Sequence, residues 1–327
     1  MSSMKLKDND TKLLIIKYDS NGYSQAEISQ KTGIPTSTIN DFLNRRAYQQ
    51  WWLDYDEKVI AGVMPIPEGP KILTLDVETA PILSSVWRLF KENIGINQIE
   101  QDWYLLSWAA KWFHENEVLY QDKRDSWNSE DDYELLLGVH KLLDEADILI
   151  TQNGKNFDEK KLNTRFILNG LKPPSSYRHI DTLEIAKRHF GFSSNKLEYM
   201  TDRLCKKYKK SKHIKFPGFE LWKECLKGNP AAWDEMEEYN IFDVLSLEEL
   251  YIIIRPWYKN HPNINLYFKD NDVRCRCGSV NLKQNGYAYT NLSKFVKWTC
   301  QDCGAEVRDR VNVLPKNKRE TLKGNVL

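Results

Sequence analysis

The stretch KILTLDVETA, residues 71–80, decides the fold. Ile72, Leu73 and Leu75 make a short apolar strand that runs into two acids, Asp76 and Glu78. Side chains alternate across a strand, so both carboxylates share one face. Charges at the end of a buried strand are costly to desolvate unless something opposite compensates them. Three later positions can supply that partner. Asp158 follows the strand-like segment DILITQNG (147–154) by a short turn and opens a helical run. Tyr239 and Asp243 lie four apart in a strongly helical segment and therefore share a face. If the four acids converge, their mutual repulsion calls for divalent cations, and oxygen-only ligands favour Mg²⁺ or Mn²⁺. Two such ions about 4 Å apart serve phosphodiester hydrolysis. Taken singly, Asp158 also fits a helix cap and Glu78 a surface acid; the order and settings of all five carry the reading.

Around these residues the chain alternates strand-like and helix-like runs from 71 to 258. KILTLDVE, WYLLSWAAKWF and EVLYQD read as strands. SEDDYELLLGVHKLLDEA (129–146) reads as an amphipathic helix capped at Ser129, with Asp131 and Asp132 in its first turn. FDEKKLNTRFILNG reads as a helix closed by Gly170. This order predicts an α/β domain with a mixed sheet. Its motifs, Asp76-Val77-Glu78, Asn153 through Phe157-Asp158, and Tyr239 through Asp243, resemble the three motifs of the DEDD superfamily of 3′–5′ exonucleases. The similarity is to the tyrosine-bearing branch, which includes the proofreading domain of family-B DNA polymerases, and it covers residues 72–255. The resemblance implies an RNase H-like fold. It implies that Asp76, Glu78, Asp158 and Asp243 hold two metal ions, that Tyr239 orients the attacking water, and that Asn153 and Phe157 place the terminal nucleotide. HIDTLEIAKR resembles the segment between the second and third motifs, and Asp181 in it reads as structural. CKKYKKSKHIKFPG (205–218) carries six lysines and no acid. Lys207 and Lys210 there are candidates for phosphate-backbone contact. Cys205 and Cys225 read as buried hydrophobes.

Before this domain, residues 1–48 read as three short helices. Ser24 and Glu27 form a capping box, Gly33-Ile34-Pro35 makes a turn, and TSTINDFLNRR (36–46) turns Ile39 and Leu43 inward. The stretch is similar to the homeodomain-like helix-turn-helix of recombinases and transcription factors. Thr36, Ser37, Asn40, Asn44 and Arg45 are then the outward polar side chains for DNA, while Asp41 opposes phosphate. A plain three-helix bundle is the alternative. Residues 49–70, ending in Pro65, Pro67, Gly69 and Pro70, read as a linker.

Beyond the domain, Cys275-x-Cys277-Gly278 and Cys300-x-x-Cys303-Gly304 set four thiols within a 268–312 module. Four thiolates can close a tetrahedral zinc site, although the first pair departs from C-x-x-C. The module resembles the zinc ribbons of transposases and transcription-related proteins, which implies contact with nucleic acid or a protein partner. Residues 313–327 read as a basic tail.

The net charge of +1 is unevenly spread. Residues 1–50 carry seven Lys/Arg against five Asp/Glu, and residues 269–327 twelve against six. The middle holds 28 basic and 35 acidic side chains, an acidic body between basic flanks. Six cysteines, four of them in close pairs, suit a reducing compartment and a metal site. No run approaches the ~20 apolar residues that span a bilayer, and the first residues do not read as a signal peptide. The expectation is a cytoplasmic, metal-dependent 3′–5′ exonuclease in a prokaryotic or phage-infected cell, acting on nucleic acid, DNA before RNA. It carries two Mg²⁺ or Mn²⁺ and one structural Zn²⁺. An endonuclease of the same fold, or a DNA-binding accessory protein with an unused nuclease core, are the alternatives.

Overall fold

In the computed structural model, residues 15, 18, 23–43, 69–113, 115–208 and 213–326 are described. They fall into two compact units: Pro70–Ile264, and a second that joins the described residues up to Gly69 with those from Asn265 on.

The larger unit is built on a five-stranded mixed sheet. Its strands are β1 (Ile72–Thr79), β4 (Leu105–Trp112), β5 (Leu119–Asp122), β6 (Ile148–Thr151) and β7 (Arg178–Asp181), with β2 (Leu83–Ser84) and β3 (Ile99–Gln101) forming a separate hairpin. The order across the sheet is β5-β4-β1-β6-β7. β1 pairs antiparallel with β4 and parallel with β6, and β6 pairs parallel with β7. This places β1 in the centre, which is why its first four residues are buried on both faces and read as an unbroken apolar run.

Alternation along β1 divides its side chains between two cores. Leu73, Leu75 and Val77 pack with Leu135, Leu136, Val139 and Leu143 of α3 (Tyr133–Glu145) and with Leu162 and Phe166 of α4 (Asp158–Leu168). Burying each such side chain is worth about 1.5–3 kcal/mol. The opposite face is covered by α8 (Pro230–Ile254), after α5 (Thr182–His189), α6 (Leu197–Leu204) and α7 (Glu220–Cys225). Trp233, Met236 and Tyr239 of α8 pack with Tyr104, Leu106, Leu221 and Cys225. Asn229 caps α8 by accepting from the Ala231 amide at 3.1 Å, and Pro230 fits its first turn. Cys205 and Cys225 are both buried.

The expected cap at Ser129 is corrected: α3 begins at Tyr133 with Asp132 as its N-cap residue. The Ser129 hydroxyl instead accepts from the Asp131 amide at 3.1 Å. Asp132 is buried and held by the Leu105 amide at 2.8 Å and by Arg165 of α4 at 2.7 and 2.8 Å. A tertiary partner thus fixes where the helix starts.

In the second unit, α1 (Gln25–Thr32) has the capping box: the Glu27 carboxylate accepts from the Ser24 amide at 2.8 Å, and Ser24 Oγ accepts from the Glu27 amide. Gly33, at φ +71°, closes the helix in the left-handed conformation that glycine adopts without strain. α2 (Thr36–Leu43) follows, and Ile28 and Ile39 are buried with Ile15. The expected first helix and the 49–68 stretch lie outside the described residues, apart from Ile15 and Tyr18. A three-stranded antiparallel sheet, β8 (Leu282–Tyr289), β9 (Lys294–Cys300) and β10 (Glu306–Arg308), carries the cysteines. Within the expected tail, residues Lys316–Thr321 form a short helix, α9.

Candidate active site

Strand β1 and helix α8 bring the first and last motifs together. Asp76, Glu78 and Asp243 offer carboxylate oxygens that lie within 4.8 Å of one another. A register irregularity between Glu78 and Thr79 interrupts the pairing with β4 right after the second acid. Bulges of this kind re-aim side chains near functional sites. On α8, the buried positions Met236, Tyr239, Asn240, Asp243 and Leu247 recur at helical spacing, so Tyr239 and Asp243 stand in the stripe that faces the sheet.

Asp158 enters from the start of α4. Its side chain is 4% exposed, and its Oδ1 accepts from the amide of Val77, the residue between the two β1 acids, at 3.2 Å. Burial pushes its carboxyl up to about 7, the neighbouring Asp181 charge adding to the rise. The structure thus groups three of the four predicted acids in one cluster and seats the fourth against their strand.

The turn that delivers Asp158 is set by Asp181. Its carboxylate accepts from the amides of Asn153 (2.8 Å), Lys155 (3.3 Å) and Leu183 (2.9 Å), a structural role that also caps α5. Asn153 adopts φ +66°, which asparagine tolerates better than most residues. Gly154 has no room for a side chain, since a Cβ there would stand 2.1 Å from Thr151 Oγ1.

These elements line a cleft of about 650 Å³ that contains Asp76, Glu78, Asn153, Phe157, Asp158, Tyr239 and Asp243. Phe157 is 39% exposed, while Tyr239 is nearly buried and meets the rings of His213 (5.2 Å) and Trp222 (6.1 Å) edge-on. Three acids at this spacing fit a hard divalent cation bound through oxygen, Mg²⁺ or Mn²⁺.

Other predicted residues lie elsewhere. Lys207 is exposed after α6, its amide bound to Glu249, and is not part of the cleft wall; Lys210 lies outside the described residues. Thr36, Ser37 and Asn40 are exposed on α2, with Asn40 Oδ1 accepting from Gln25 Nε2 at 3.3 Å. Asn44 and Arg45 lie outside the described residues. Sequence reasoning missed Asn240. It is fully buried, its Nδ2 donates to Asp76 Oδ2 at 2.6 Å, and its Oδ1 accepts from Ser107 Oγ at 3.1 Å. The available signal was a polar residue inside the apolar stripe of α8. Lys187, Asn195 and Glu198 of the cleft wall carried no such signal.

The four cysteines also converge. Cys275 and Cys303 are 3.7 Å apart, sulfur to sulfur, and Cys277 and Cys300 3.8 Å. A tetrahedron with Zn–S of about 2.3 Å has edges of about 3.8 Å, so the set fits zinc. The shortened first pair is accommodated by a turn in which the Gly278 amide donates to the Cys275 carbonyl at 2.9 Å, with Gly278 at φ +92°.

The RNase_H_2 family model, of the RNase_H superfamily, matches residues 91–255, and with just over half of its length matched the chain belongs to that superfamily. The matched range takes in Asn153, Phe157, Asp158, Tyr239 and Asp243 and begins after Asp76 and Glu78. Among solved structures, the chain is similar to the family B DNA polymerase from the hyperthermophilic archaeon Pyrobaculum calidifontis, at 15% identity and a TM-score of 0.44. The similarity covers 59% of this chain and 26% of the polymerase. No curated protein matches the chain. No helix among the described residues is long and apolar enough to cross a membrane.

Proposed function

We propose that the chain is a metal-dependent 3′–5′ exonuclease that hydrolyses terminal phosphodiesters of nucleic acid, with DNA as the principal substrate. The observation that carries this reading is the meeting of Asp76, Glu78 and Asp243 within 4.8 Å in the wall of a cleft that Asp158 and Tyr239 also line. In this reading Asp76, Glu78, Asp158 and Asp243 hold two Mg²⁺ or Mn²⁺. Such ions, when bound, activate water at neutral pH and stabilise the leaving oxygen. The chain's own side chains supply the positioning. Tyr239, confined by His213 and Trp222, holds its hydroxyl toward the attacking water. Asn153, fixed in its turn by Asp181, and Phe157 seat the terminal nucleotide. Asn240 fixes the orientation of the Asp76 carboxylate.

The flanking unit recruits the substrate. Thr36, Ser37, Asn40, Asn44 and Arg45 face DNA, and Cys275, Cys277, Cys300 and Cys303 hold one structural zinc whose ribbon contacts nucleic acid or a protein partner, while Lys207 and Lys210 of the larger unit meet the nucleic-acid backbone. The compartment is the cytoplasm. The test is degradation of labelled single-stranded DNA, duplex DNA and RNA with Mg²⁺, beside an Asp76→Ala/Glu78→Ala control. A substrate labelled at its 5′ end and blocked at its 3′ end separates the modes. Its cleavage removes the exonuclease claim in favour of internal cutting.

A further inference from the structure

The hairpin between β1 and β4 forms an arm that carries large exposed apolar side chains. Trp87 is 95% exposed, Leu89 87%, Phe90 81% and Ile96 89%. Summed over the four side chains this is roughly 700 Å² of exposed apolar surface. The tip carrying them is ordered by hydrogen bonds. The Glu92 carboxylate accepts from the amides of Trp87 (3.3 Å) and Arg88 (2.8 Å), and Arg88 Nη2 donates to the Lys91 carbonyl at 3.1 Å. Gln98 Nε2 ties the tip to the Ser85 carbonyl at 2.9 Å. This network holds Lys91 at φ +55°, a conformation uncommon for a residue with a side chain. In the order Trp87-Arg88-Leu89-Phe90-Lys91 each of the two rings is followed within one step by an exposed cation.

Both roots of the arm lead to the cleft. One is β1 itself, with Glu78 five residues before Leu83. The other runs from β3 to Trp103. The Lys161 ammonium lies 3.6 Å from the centroid of the Trp103 ring and 5.7 Å from that of Phe157, which lines the cleft. A cation therefore bridges the cleft wall to the base of the arm.

We infer that the arm and this bridge form a track for the single strand whose last nucleotide occupies the cleft. Bases stack on Trp103, Trp87 and Phe90, and phosphates face Arg88 and Lys91. The inference rests on the exonuclease reading of the cleft. Stacking of this kind is indifferent to sequence, since every base has a π face. Bases paired within a duplex are already stacked and gain nothing from the track. Arg88 and Lys91, each directly beside a ring, are what favour a polyanionic strand over an apolar protein face.

The test uses the full chain with Trp87→Ala/Phe90→Ala, both exposed positions outside the core. Affinity for a fluorescent oligothymidylate of about 12 nucleotides, a length within the usual single-strand site sizes, is read by anisotropy without divalent ions. KM and kcat are read on the same strand and on a dinucleotide too short to reach the arm, and self-association by sedimentation. The expected result is a loss of strand affinity and a rise in KM of roughly 10–100-fold, with kcat and dinucleotide hydrolysis within about twofold of wild type. Trp87→Tyr restores most of the affinity. Unchanged affinity and KM overturn the inference. So does a changed sedimentation coefficient with unchanged affinity, which assigns the patch to a protein partner or a second copy of this chain. If wild type hydrolyses neither substrate while the double variant still loses strand affinity, the track stands and the exonuclease reading falls.

Discussion

Replacing Asn240 by alanine isolates how the fold aims Asp76. The amide bridges two groups: it donates to Asp76 at 2.6 Å and accepts from Ser107 at 3.1 Å, with no solvent reaching it. The first bond goes to a charged acceptor and is worth about 1.5–3 kcal/mol. Truncation also removes one acceptor of the buried Ser107 hydroxyl, which bonds the Tyr120 side chain as well, a further cost of about 1–3 kcal/mol. The two losses together predict a destabilisation of about 2.5–6 kcal/mol by urea denaturation. The functional consequence is separate. Outer-shell partners of a ligating carboxylate typically govern about 10–100-fold in metal affinity or activity. A titration of nuclease activity against Mg²⁺ with Asn240→Ala is expected to need at least tenfold more metal for half-maximal rate. Ser107→Ala, which spares the bond to Asp76, shifts the titration little, and the double variant is markedly non-additive with respect to stability. If Asn240→Ala loses stability yet keeps the wild-type Mg²⁺ midpoint and rate, the amide is a packing element and Asp76 is aimed by something else.

Asp76→Asn removes one of three crowded carboxylates: nuclease activity is expected to fall about 10³-fold or more, while the metal-free melting temperature stays level or rises, and a large drop in that temperature contradicts the crowding argument. Asp158 predicts a pH dependence. Its folded carboxyl titrates at about 7 against 3.8 in the unfolded chain, so the folded form holds the proton more tightly; the stabilisation is complete below about pH 4 and is lost as pH rises through 7. Denaturant melts of the metal-free protein should weaken across that window and recover on adding Mg²⁺ at pH 8, and a flat profile counts against it. Cys303→Ser, or chelation, should abolish bound zinc measured by elemental analysis and open residues 270–312 to protease while 70–264 stays protected; zinc retained at one per chain would show that the four thiols do not form the site.

Much of the larger unit was legible because its signals are local. The apolar run of β1 ends in an acid pair, and Tyr239 and Asp243 share a face by spacing alone. The four cysteines announce their own meeting by number and proximity in sequence. What stayed hidden depends on partners far away in the chain. Nothing in the local pattern says that Asp132, rather than Ser129, begins α3, because the choice is made by Arg165 and the Leu105 amide. Asn240 reads as one more polar residue on a helix until Asp76, 164 positions earlier, is placed against it. The arm from Ile82 to Ile96 is apolar enough to read as core, and only the structure shows it turned to solvent.

The long helix α8 also sets when the site comes into being. Glu78 and Asp243 are separated by 165 positions. At ordinary synthesis rates the second follows the first by roughly 10–30 s. For that interval a nascent chain carries β1 and its acids without the wall that completes the ligand set. The proposed site is therefore completed only with nearly the last helix of the unit, so that a chain ended before α8 is released without the Asp243 carboxylate beside Asp76 and Glu78.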